Sequence, residues 1–356
     1  MTEEHHMPDH LQASRIRILP WVMLFVMLLM VASIFIPVPY YVMRPGSAVA
    51  LGPIIQVEEG KKDAKGSFML TTVRMGEANP FWYVYAHLSP DAELVEKESV
   101  LNGGSDEDFT KREQAVMQNS QKIAEAVAFR LAGYPVKVEN HGVTVMGTAE
   151  GLPAKGKLQV GDVIIAVDGQ KTMERTILQQ YLVKKKVGET VEITFLRDEE
   201  ERTESITLAE ISDENGKRPG IGISLDNYQT IEIPREVTIA SKNIGGPSAG
   251  LMFTLEIYDQ LKKDLDLTRG YKIAGTGTIS DDGTIGRIGG INHKIVAADS
   301  AGAEIFFAPD DEGYATSNYE DAVATAKRIG TTMKIIPVKN VRDALKYLSA
   351  LAPKQS

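Results

Sequence analysis

One serine in this sequence sits where acyl chemistry could be done. The run Ile244-Gly245-Gly246-Pro247-Ser248-Ala249-Gly250 sets Ser248 among small residues, directly before the apolar, helix-forming stretch 251–261. A hydroxyl at a helix N-terminus lies beside backbone N–H groups that have no intrahelical acceptor and can hold an oxyanion. The same pattern also serves as an N-cap or a phosphate cradle. No Gly-x-x-x-x-Gly-Lys-Ser/Thr occurs, so a P-loop nucleotide site is not supported. A serine nucleophile needs a base. Outside the N-terminal tail the histidines are His87, His141 and His293, the last followed by Lys294. His87 has no motif around it and His141 falls in the turn-like Asn140-His141-Gly142. His293 and Lys294 remain, and the residues alone do not choose between them.

The elements that must position this chemistry lie on either side of it. Gly275 to Lys294 reads strand-turn-strand, passes Gly289-Gly290 and enters a helix that runs through Ala301. Together with Gly246-Pro247-Ser248-Ala249-Gly250, this block resembles the proteolytic domain of Lon-type serine proteases, over about Ile231 to Leu351. Ala303 to Pro309 looks like the strand that follows the lysine helix in that family. The resemblance implies Ser248 as nucleophile, Lys294 as general base and Thr276 as a residue orienting the lysine. It also implies an oxyanion hole from the backbone N–H groups of Gly246 and Ser248, with no metal and no cofactor. A lysine base must be neutral, and since a free amine has a pKa near 10.4, an apolar pocket around Lys294 is expected. Cytosolic Lon proteases carry an ATPase module and many have an acidic residue where Gly245 stands; neither is present here. Without ATP-driven unfolding, the expected substrates are peptides, exposed loops or unfolded tails. Relatives of the cytosolic type form rings, which makes a homo-oligomer possible, while the sequence itself does not give the oligomeric state.

A second texture begins at Tyr134, with short β-branched runs, Val136–Val138 and Val143–Met146, and a strand at Val191–Leu196. Leu158, Gly161-Asp162, Ile164 and Val167-Asp168-Gly169 resemble a bacterial PDZ domain, expected over 134–215. The fold implies a peptide groove between a strand edge and a helix, here at Met173–Lys185, where an extended peptide adds as a strand. Asp198 to Arg202 reads as a solvated hairpin turn. Between the N-terminal part and this domain, Ser67–Val73 alternates as a strand, 101–110 has loop chemistry, and Val116 to Leu131 is amphipathic and helical, stopped by Gly133 and Pro135. The strand and the helix look like the part of a Lon domain that precedes the nucleophile, so the PDZ domain is expected as an insertion.

Ile18 to Val38 runs 21 residues without a charge, enough to cross a bilayer. Arg15 and Arg17 before it, and Trp21, Tyr40 and Tyr41 near its ends, favour a single-pass anchor with a cytoplasmic tail, 1–17, and an extracytoplasmic remainder. His5, His6 and His10 belong to the tail. With 39 basic against 48 acidic side chains and a net charge of −9, nothing attracts nucleic acid. The absence of cysteine excludes disulfides and a thiol nucleophile. Asp310-Asp311-Glu312 lacks the spacing of a cation loop and reads as an exposed turn.

The expectation is therefore an α+β protein: transmembrane helix 18–38, an extracytoplasmic part 39–133 belonging to the protease, a PDZ domain 134–215 and a Lon-type proteolytic domain 228–352. The resemblance is to the membrane-anchored, PDZ-containing Lon-type group of bacteria. The rival reading is a catalytically silent peptide receptor built on the PDZ groove. A trypsin-like enzyme is disfavoured, because no histidine and aspartate motif precedes a Gly-Asn-Ser-Gly-Gly.

Overall fold

A computed structural model describes residues 12–33, 36–61, 65–101, 104–213, 216–241 and 244–355. The chain divides into two compact units, residues 1–44 with 74–97, and 45–73 with 98–356. In the first, a helix covers Gln12–Ser33 with Pro20 inside it. Among the described residues no helix is long and apolar enough to cross a membrane. The uncharged run 18–38 is only partly described as helix: the helix starts earlier, takes in Arg15 and Arg17 and is described as far as Ser33, and 36–38 are not helical. Part of that run, and His5, His6 and His10, lie outside the described residues. Further on, Tyr40–Met43 pairs antiparallel with Glu93–Glu96, and the helix Pro80–Leu88 is capped by Asn79, whose side chain accepts the Trp82 N–H at 3.0 Å.

The second unit has a mixed α/β architecture. Its parallel strands run in the order Lys334–Val338, Ile305–Pro309, Lys272–Gly275 and the start of Ser67–Glu77. Uninterrupted apolar runs mark strands covered on both faces. Accordingly Phe68, Leu70 and Phe307 enter one core with Phe129 and Phe253, while Met69, Ala274 and Phe306 enter another with Ile295 and Ala322. The helices Gly250–Leu261 and Asp106–Ala132 pack together in the first of these cores through Met117, Ala124, Val127 and Met252. The helix Asp106–Ala132 starts earlier than its apolar periodicity suggests, inside the stretch read as a loop. Ser105 and Asp108 form a reciprocal capping box, and Asp106, Glu107 and Asp108 sit at the positive end of the helix dipole.

Within the same unit a second sheet, antiparallel and built over a small core, runs Ile223–Glu232, Lys137–Thr148, Val163–Val167, Thr190–Arg197, Glu200–Thr207. It closes on a separate core of Val143, Leu158, Ile164, Leu182 and Phe195. Val136–Val138 and Val143–Met146 are not two strands around a turn. Asn140-His141-Gly142 lies inside one strand, Lys137–Thr148, whose bend comes from register shifts against Ile223–Glu232. The run Asp198–Arg202 turns only at Asp198 and Glu199, both left-handed (φ 51° and 65°), and Arg197 already pairs with Glu200. The helix here is Arg175–Val183, and it flanks Ile223–Glu232: the Arg175 N–H donates to Asn227 Oδ1 at 2.7 Å. That strand pairs with Lys137–Thr148 on one side and ends the sheet on the other.

Candidate active site

Three segments meet at Ser248. The serine closes the loop before the helix Gly250–Leu261, Thr276 follows the strand Lys272–Gly275, and Lys294 stands on the first turn of the helix Ile291–Ser300. Gly290, left-handed at φ 69°, starts that helix without a side-chain cap. Lys294 Nζ lies 2.7 Å from Ser248 Oγ, 3.1 Å from Thr276 Oγ1 and 3.1 Å from the main-chain oxygen of Thr71. Of the two neighbours left open by the sequence, Lys294 is the one that reaches the serine. His293 is buried beside it, His141 meets Thr230 at 2.9 Å on the second sheet, and His87 lies against its own helix at Tyr83 O.

Lys294 is 4% exposed and Thr276 fully buried. Burial alone brings the Lys294 amine down to about 7, because a dry site disfavours the ammonium. The polar partners fit either protonation state. A neutral amine has two N–H donors for Thr71 O and Thr276 Oγ1 and a lone pair for the Ser248 hydroxyl; an ammonium has three donors for the same three oxygens. Thr276 in turn donates its hydroxyl to Ser248 O at 2.9 Å, and Gly277 N–H donates to the same oxygen at 2.8 Å. The serine's own peptide is thereby fixed.

The loop is also gripped from the helix Asp106–Ala132. Gly246, left-handed at φ 85°, donates its N–H to Glu113 O at 2.9 Å. The Gly246 N–H, expected to face an oxyanion, is thus engaged by this neighbouring helix. The N–H groups of Ser248 and Ala249 have no acceptor among the described residues and point to the start of the helix Gly250–Leu261 as the anion-holding corner. Gly250 must be glycine: a Cβ there would stand 2.5 Å from Ile279 Cγ2 and 2.9 Å from Ser120 Oγ. Gly245 packs under Glu113, where a Cβ would come within 2.9 Å of Glu113 Cβ. The acidic residue that many Lon proteases carry at this position has no room, and a carboxyl comes to the loop from Glu113 instead, its pKa raised by burial.

Residues 200–351 match the Lon protease (S16) C-terminal proteolytic domain. Ser248, Thr276 and Lys294 all fall inside that stretch, and residues 130–208 match the PDZ domain. Among the relatives are the Lon proteases of Rickettsia typhi, 29% identical over 132 residues, and of Trichlorobacter lovleyi, 32% identical over 129 residues. These alignments take in 37% and 35% of this chain but only 16% and 14% of the relatives. The PDZ domain of an SdrC-like protein from Listeria monocytogenes is 36% identical, covering 25% of this chain and 92% of that domain, with a TM-score of 0.23. The chain thus matches a Lon-type proteolytic domain in its C-terminal part and a PDZ domain before it, and the match supports a serine endopeptidase.

Sequence reasoning missed Thr71, Glu113 and Ser120. Thr71 and Glu113 act through main-chain oxygens, which have no sequence signature. Ser120 is a polar residue on the apolar face Val116-Ser120-Ile123-Val127, and that break in the stripe was the available signal.

Proposed function

We propose that this chain is an ATP-independent serine endopeptidase, tethered to a membrane, that cleaves extended or unfolded polypeptide segments with a Ser248/Lys294 dyad. The observation that carries the reading is the 2.7 Å approach of Lys294 Nζ to Ser248 Oγ in a pocket dry enough to bring the amine to about 7. As Ser248 Oγ bonds to the substrate carbonyl carbon, its proton passes to Nζ. The ammonium so formed has three donors and three oxygens to receive them. The carbonyl oxygen gathers negative charge against the Ser248 and Ala249 N–H groups at the start of the helix Gly250–Leu261. Lys294 then gives its proton to the leaving amine as the C–N bond breaks; water, deprotonated by the same lysine, attacks the acyl carbon, and the lysine returns that proton to Ser248 Oγ as the ester bond breaks. Thr276 holds both partners, accepting from Lys294 and donating to Ser248 O.

The substrate class follows from what brings a polypeptide to the site. The unpaired side of Ile223–Glu232, flanked by the helix Arg175–Val183, suits the addition of an extended segment by main-chain hydrogen bonds. Residues 1–356 contain no Gly-x-x-x-x-Gly-Lys-Ser/Thr, and ATP independence is the part of the reading that an ATP-free assay tests. The tether is supported by the uncharged run 18–38 behind Arg15 and Arg17. We also infer that the PDZ segment interrupts the proteolytic fold, because Ser67–Leu70 pairs with Lys272–Gly275 and the helix Asp106–Ala132 grips the nucleophile loop from before the second sheet.

The test is hydrolysis of casein by the purified chain without ATP, beside Ser248→Ala and Lys294→Ala. Loss of cleavage in both variants, with circular dichroism unchanged, is the expected result. Cleavage that survives either substitution would remove the dyad, and an inactive wild-type chain would leave the silent peptide receptor.

A further inference from the structure

The helix Asp106–Ala132 makes a side-chain contact with the nucleophile loop and, one residue away, with the second sheet. Ser120, 4% exposed, donates its hydroxyl to Pro247 O at 3.0 Å, on the peptide that joins Pro247 to Ser248. Its neighbour Asn119 donates Nδ2 to Asp226 Oδ2 at 2.5 Å. Asp226 belongs to Ile223–Glu232, the strand with the open edge, and Asn227 beside it accepts the N–H of Arg175 at the start of the flanking helix. A cavity of about 200 Å³, lined by Gln118, Asn119, Lys122, Asp226 and Tyr228, lies around this contact. The polar link is therefore not one detail of a tightly packed apolar seam. From Arg175 through Asn227, Asp226, Asn119 and Ser120 to Pro247, adjacent residues and hydrogen bonds join the edge strand to the nucleophile loop.

The geometry points to Ser120 as a positioning residue for Ser248, with the Asn119–Asp226 bond coupling that position to the peptide-accepting strand. This deepens the endopeptidase reading and rests on it. Without the Ser120 hydroxyl, the Pro247 carbonyl loses its closer donor and keeps only the Gly250 N–H at 3.4 Å, and the Ser248 hydroxyl drifts from Lys294, where a misplacement near 1 Å is costly to rate. An extended segment added to the open edge loads the same strand. Occupancy of the groove thus acts on the nucleophile through Asp226 and Asn119.

The experiment uses the full chain and two readouts: the rate at which a fluorophosphonate probe labels Ser248, and kcat and KM on a short fluorogenic peptide. Ser120→Ala and the isosteric Ser120→Cys should each slow labelling and kcat about tenfold at unchanged KM, with the chain still folded at the assay temperature by circular dichroism. Asn119→Ala and Asp226→Ala should each slow labelling about threefold, and the double variant should be no slower than the slower single one. Wild-type labelling in both Ser120 variants, or losses that multiply in the double variant, would overturn the proposal. A wild-type chain that never reacts at Ser248 would overturn the endopeptidase reading, and this inference with it.

Discussion

The dyad corner and the open strand edge handle their polar groups in opposite ways. Around Lys294 each donor has a fixed oxygen, the side chain is buried, and the amine is held at about 7. Among the described residues no strand pairs with the outer side of Ile223–Glu232, and the flanking helix exposes Ile177. In the proposed reading the difference separates two tasks: a buried corner converts burial into reactivity, while an open edge takes up a peptide by main-chain hydrogen bonds. Substitutions in the corner should therefore act steeply and on kcat, and substitutions at the edge weakly and on KM.

That contrast can be broken by measurement. The largest effect expected is from Lys294→Met, which should lower kcat on a short peptide by about a thousandfold or more, since a Ser nucleophile without its base loses most of its rate. A loss of under about tenfold would mean the corner is not the reactive site. Thr276→Val keeps the volume and removes both hydrogen bonds. It should cost about thirtyfold in kcat with little change in KM, read by steady-state kinetics on the same peptide; a change confined to KM would assign Thr276 to substrate binding. Ile177→Glu should raise KM for casein about fivefold and leave the short peptide unaffected, because an exposed apolar contact is worth about a kilocalorie. An equal loss on both substrates would erase the distinction between edge and corner.

Much of the corner was legible because its side chains sit in two compact motifs. Ser248 lies in a glycine-rich turn before an apolar helix, and Lys294 four residues beyond Gly290. The choice of Lys294 over His293 came from a resemblance, and it takes the fold to turn the lysine toward the serine. What stayed hidden is non-local. Thr71 and Lys294 are separated by 223 positions and meet only because Ser67–Leu70 pairs parallel with Lys272–Gly275. The occupied Gly246 N–H depends on Glu113 O, a contact that no residue type announces. Local signals also went unread. Ser105 and Asp108 spell a capping box that starts the helix Asp106–Ala132 before its apolar stripe begins. Ile223-Ser224-Leu225 alternates as a strand should, yet its partner Lys137–Thr148 lies far back in the chain.

The central claim is that burial makes Lys294 a base near neutral pH, and the pH dependence of kcat/KM on a short peptide tests it most directly. With the folded amine at about 7, against an ordinary 10.5, the reactive neutral form is scarce below pH 7 and dominant above it. The account predicts activity rising through a single ionisation near 7 and then level to about pH 9. Glu125, which burial also raises to about 7, provides the control: Glu125→Gln should leave that rise in place. A profile that keeps climbing toward pH 10, or a rise near 7 that vanishes in Glu125→Gln, would contradict the claim.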